Sequence, residues 1–77
     1  MNNIRRKKLE KAISMISSAK DILTEVRDEE QEAYDNLPEA FQCSERGEQM
    51  EEYIDLLEDA YSTLEDSESS ISEICEA

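Results

Sequence analysis

The stretch DEEQEAYDNLPEAFQCSERGEQMEE, residues 28–52, holds the chain's only proline, only glycine and only phenylalanine, with one of its two cysteines. It reads as an acidic linker, a metal-binding loop, or the corner of a folded hairpin. A residue before proline is pushed out of the helical region, so a helix arriving from the N-terminal side should end by Leu37. Pro38 suits the first position of a short turn over PEAF, where its missing N–H costs nothing. Ser44 is a candidate N-cap for a second helix, with Glu45 and Glu48 near the positive end of its dipole. Leu37 and Phe41 are the apolar residues available to plug the end of a bundle. The stretch is a corner.

On either side of it the apolar residues recur at helical spacing. With position a set at Leu9, the a positions of the first half are Leu9, Ile16, Leu23, Glu30 and Leu37, and the d positions are Ala12, Ala19, Val26 and Ala33. In the second half Met50, Leu57, Leu64 and Ile71 take a, while Tyr53, Ala60, Ser67 and Ile74 take d. Each half is a heptad seam, interrupted in the first by Glu30. Ile13, Ile22 and Tyr34 widen the first stripe; Ile54, Tyr61 and Cys75 widen the second, with Leu56 on its other side. The pattern predicts an all-α chain, with long antiparallel helices over about 4–36 and 45–75 and a corner at 37–44. The whole forms one coiled-coil-like helical hairpin. Each helix would be about 45 Å long at 1.5 Å per residue.

Seventy-seven residues, 38% of them apolar and only four aromatic, lie near the lower size limit for a chain that folds alone. A lone hairpin wets part of its stripe, and crude accounting for so small a chain closes near zero net stability. The flank around Ile22, Ile54, Leu56 and Tyr61 is therefore expected to meet a second hairpin, as a homodimeric four-helix bundle or with a different protein.

The net charge of -13 is unevenly spread. Residues 1–27 carry seven basic and three acidic side chains, and residues 28–77 carry Arg46 against eighteen acids. Such a field repels nucleic acid and attracts basic surfaces, which argues against direct DNA or RNA binding despite the run IRRKK at 4–8. Folding back at the corner would bring Arg5, Arg6, Lys7 and Lys8 near Glu65, Asp66, Glu68, Glu73 and Glu76, an expected set of ion pairs each worth about 0–1 kcal/mol. The basic start lacks the apolar core of a signal peptide, and no run approaches the length of a membrane span. The default is a soluble, cytoplasmic protein. Cys43 and Cys75 would sit at opposite ends of the second helix, too far apart to bridge, and read as free thiols.

Catalytic and metal chemistry find little support. The chain has no histidine, which di-metal bundles use beside inward-facing glutamates, and no loop with calcium-hand spacing. A hairpin offers no concave pocket for acid–base work, and the acids around Cys43 would suppress its thiolate. No enzyme, no cofactor and no metal site are expected. The surface carries more information. In the second helix the c positions Glu45, Glu52, Asp59, Asp66 and Glu73 are all acidic, and Glu51, Glu58 and Glu65 run beside them with Glu48 and Asp55 between. Charge runs of this kind are commonly solvated outer faces. Ordinary exposed helices mix both signs, however, and the near absence of lysine here leaves room for a recognised stripe that occupies a groove built for phosphates.

Asp35, Asn36, Leu37, Pro38, Glu39, Phe41, Gln42, Ser44, Arg46, Gly47 and Glu48, after a basic start and before an acidic second helix, resemble the corner of short acidic hairpin proteins carried by phages and prophages. The likeness is strongest at the corner. It implies a helical hairpin of mobile-element origin, acting inside a bacterial host cell. Small acidic phage proteins include inhibitors of host restriction and CRISPR nucleases, so the resemblance adds weight to a DNA-mimicking inhibitor. A structural or assembly-chaperone hairpin, docking through its apolar flank, is the other reading.

Overall fold

The computed structural model describes all 77 residues. It contains three helices and no strand: α1 (Asn3–Asp35), α2 (Glu39–Gln42) and α3 (Glu45–Glu76). α1 and α3 pack against each other along their length, and the molecule is a rod of 58 × 15 × 13 Å. No helix is long and apolar enough to cross a membrane.

The corner is built from hydrogen bonds that its own residues supply. α1 ends at Asn36, whose N–H donates to Glu32 O, and Leu37 N–H returns to Tyr34 O at 3.0 Å. The Gln42 side-chain amide also donates to Tyr34 O, at 3.1 Å, tying α2 to the last turn of α1. Pro38 lies one position earlier than the sequence suggested: it is the N-cap of α2, with φ -56° and ψ 147°. Ser44 caps α3, accepting from Gly47 N–H at 3.4 Å while its hydroxyl donates to Phe41 O.

Gly47 is one of only three buried residues. A Cβ there would lie 2.2 Å from Gln42 O and 2.7 Å from Phe41 O, both main-chain atoms. The glycine is required because the first turn of α3 rests directly on the backbone of α2. That contact, rather than Phe41, closes the bundle end. Leu37 is half-buried, but Phe41 remains 57% exposed.

The seam differs from the sequence expectation by one register step. The buried or half-buried positions that form the seam are Leu9, Ile13, Ile16, Lys20, Leu23, Arg27, Glu30 and Tyr34 on α1, with Leu37 just beyond its end, while Arg6 and Gln31 are half-buried at its edge. On α3 they are Gly47, Met50, Ile54, Leu57, Tyr61, Leu64, Glu68, Ile71 and Cys75. Both series alternate steps of three and four, the coiled-coil spacing. The predicted a positions are therefore inside, but their seam partners are the residues labelled e, not d. Val26, Ala33, Tyr53, Ala60, Ser67 and Ile74 are exposed, while Ala12 and Ala19 are half-buried at the edge. Ile54 and Tyr61, expected on the outer flank, belong to the seam; Ile54 is 6% exposed.

Two physical effects set this register. Ile13, Tyr34, Ile54 and Tyr61 bury more apolar surface than the alanines beside them, at about 25 cal/mol per Å². Lys20 and Arg27, the two cations in that seam, lay their stems along it and meet acids of α3. Lys20 Nζ lies 3.2 Å from Glu68 Oε1, with side-chain exposures of 13% and 24%, and 5.2 Å from the centre of the Tyr61 ring. Arg27 pairs with Glu58 at 2.8 Å and with its neighbour Asp28 at 3.1 Å.

Candidate functional site

The register leaves two unlike faces on the rod. On one, α1 and α3 are laced by polar contacts: Tyr34 OH donates to Glu51, and the Arg27 guanidinium meets Glu58. The hydrogen bond to Glu51, helped by partial burial, pushes the Tyr34 hydroxyl up to about 12. The hydrogen bond to Glu68 likewise raises Lys20 above the usual lysine value, against the opposing effect of burial. The other face is apolar and unlaced. Val26, Tyr53, Leu56 and Leu57 line a shallow hollow there with Glu30, the half-buried carboxylate that interrupts the a positions. Ile22, Met15 and Ile74 are also exposed. Of the expected apolar flank, Ile22 and Leu56 are thus on the surface, and Ile54 and Tyr61 are not free to meet a partner.

All ten residues of the acidic stripe are exposed. Glu51 and Glu58 are held by contacts within the hairpin, whereas Glu45, Glu48, Glu52, Asp55, Asp59, Glu65, Asp66 and Glu73 form no ion pair. Residues 45–73 rise about 42 Å along the helix. Ten carboxylates over that length give about one per 4 Å, near the one charge per 3.4 Å of a single B-DNA strand. No three of the carboxylates converge in a geometry that could hold a metal ion.

Sequence reading placed the charge on one helix; folding arranges it by end. Residues 21–64, the half of the rod nearest the corner, carry fifteen acidic side chains against Arg27 and Arg46, a balance of -13. Residues 1–20 and 65–77, the other half, carry six of each sign. The whole net charge therefore sits at the corner end. Asp21, Glu25, Asp28, Glu29, Glu32 and Asp35 of α1, outside the stripe, are exposed there beside it. The signal that could have found them is this balance, recounted after folding the chain at its proline.

The expected ion pairs of the basic start do not form. Arg5, Arg6, Lys7 and Lys8 make none with Glu65, Asp66, Glu68, Glu73 or Glu76. Arg6 instead donates to the main-chain oxygen of Ala77 at 3.0 Å. Within the run from Asp35 to Glu48, Asn36, Pro38, Gln42, Ser44 and Gly47 build the corner's caps and its close approach. Comparison with protein-family models, with curated proteins and with solved structures finds no match for this chain.

Proposed function

We propose that this chain is a non-enzymatic interaction module whose acidic corner end binds a protein with a basic, nucleic-acid-binding surface, in the cytoplasm of a bacterial host cell. The observation that carries the reading is the concentration of the entire charge of -13 in the corner half of the rod. Like-charge crowding of this kind destabilises a small fold, and a basic groove relieves it on contact. The carboxylate spacing supports a mode in which the stripe stands in for a phosphate backbone. The resemblance to acidic phage hairpins points to a host defence nuclease, of the restriction or CRISPR kind, as the partner, and to inhibition as the outcome. A homodimeric four-helix bundle is part of the proposal, because the hairpin alone buries only Met50 and Ile54 among its apolar side chains. The exposed hollow at Val26, Tyr53 and Leu56 favours a second reading, a structural or assembly hairpin that docks through that face.

The test is affinity capture from bacterial lysate on wild type and on a variant with Glu45, Glu48, Glu52, Asp55 and Asp59 changed to their amides. Glu51 and Glu58 stay, because they brace the hairpin. The expected result is a nucleic-acid-binding protein held by wild type alone, released by moderate salt and by added duplex DNA. Partners that both proteins retain through high salt would refute the acidic reading and move function to the apolar face.

A further inference from the structure

The apolar face and the polarity of the rod together specify how two copies meet. The chain exposes 5850 Å². A compact monomer of 8.9 kDa exposes about 4,800 Å². The excess, about 1,000 Å², is close to the roughly 800 Å² that each partner covers in a standard stable interface. The exposed apolar residues available to fill such an interface lie together on the unlaced face: Ile22 and Val26 of α1 with Tyr53 and Leu56 of α3.

Electrostatics then chooses the direction. If the two rods pointed the same way, two corner halves of -13 each would lie side by side. If they point opposite ways, each corner half lies beside the partner's open end, where Arg5, Lys7 and Lys8 have no carboxylate of their own. These cations sit at the positive end of the α1 dipole, a placement unfavourable within the hairpin. The acids of a second copy's corner compensate it.

We propose that two copies pack along their unlaced faces, overlapping over their full length with their long axes antiparallel, so that each basic N-terminal run lies against the other copy's acidic corner and the Val26–Tyr53–Leu56 hollow lies opposite the exposed Met15 and Ile74 of the other copy. This rests on the dimeric part of the reading above and adds the face and the direction. The assembly carries one acidic corner at each end and can engage two basic grooves at once.

Cys43, exposed at the corner, is a natural reporter. With Cys75 changed to serine and a spin label on Cys43, double electron–electron resonance reads the distance between the two corners. The antiparallel pair, overlapping over its full length, puts the labels near opposite ends of a rod 58 Å long. A parallel pair puts them within the width of the bundle, below about 25 Å. Sedimentation equilibrium on the same sample, and on Leu56→Glu, completes the test. A dimer with the long distance, weakened about tenfold or more by Leu56→Glu, supports the proposal. A dimer with the short distance, or one indifferent to Leu56→Glu, overturns the face or direction but leaves dimerisation standing. A folded monomer at roughly 50 µM, a concentration at which a micromolar interface is populated, overturns both and leaves the face to a different protein.

Discussion

Gly47 is the residue whose role is hardest to see without neighbours. In a helix first turn a glycine costs stability relative to alanine, so helix propensity alone recommends replacing it. The main-chain oxygens of Phe41 and Gln42 forbid the methyl group. Gly47→Ala is expected to lower stability by about 1–3 kcal/mol, as overpacking does, measured by urea unfolding with circular dichroism. Ser44, by contrast, is legible from type and position, and Ser44→Ala should cost about 1 kcal/mol as the loss of a cap. Tyr34 gives a pH signature. Its hydroxyl proton is held more tightly in the fold than in the unfolded chain, to about 12 from 10.0. The contribution is therefore complete below pH 10 and is lost as pH rises through 12. The stability advantage of wild type over Tyr34→Phe should shrink across that window and stay flat from pH 7 to 9. An advantage independent of pH would mean that the bond to Glu51 does not form in solution.

Among the elements, the seam is where sequence reading and structure part. Period and length were readable: two apolar series of equal extent, broken by one proline, allow little besides two long helices. Register was not, because d and e positions both carry apolar residues and Lys20 and Arg27 argue against e. Only when Glu68 and Glu58 arrive from the opposite helix do those cations become acceptable inside. Ile54→Ala is expected to cost about 2–4 kcal/mol as a buried truncation. Ile74→Ala, on an exposed side chain that the heptad pattern placed at a d position of the seam, should stay within about 0.5 kcal/mol. Equal effects would restore the original register. Lys20→Leu leaves Glu68 without its partner in the seam and should destabilise clearly, whereas Lys20→Leu with Glu68→Leu should recover most of the loss. Additive losses in that double-mutant cycle would show that the pair is not coupled.

The whole molecule is a polarised rod, and its stability should respond to salt accordingly. Raising ionic strength from about 0.01 to 0.1 M shortens the screening length from about 30 to 10 Å. Repulsion among fifteen acids in the corner half outweighs three ion pairs, two of which share Arg27. The melting temperature is expected to rise with added sodium chloride. A fall would mean that the lacing between the helices is the dominant electrostatic effect. The same crowding is what the proposed basic partner would relieve.

The sequence by itself determined two helices, their lengths, the place of the corner and the excess of negative charge. These follow from local rules: helical period, the backbone constraint of Pro38, the capping geometry of Ser44 and a count of charges. Tertiary structure decided which residues form the seam, which of the flank residues Ile22, Ile54, Leu56 and Tyr61 remain outside, and that the charge belongs to one end. It also decided that Gly47 must be glycine. The first three depend on what faces a residue across the hairpin, where an antiparallel fold brings together residues tens of positions apart whose pairing no local pattern records. Gly47 depends on how the corner folds the backbone of Phe41 and Gln42 onto the first turn of α3.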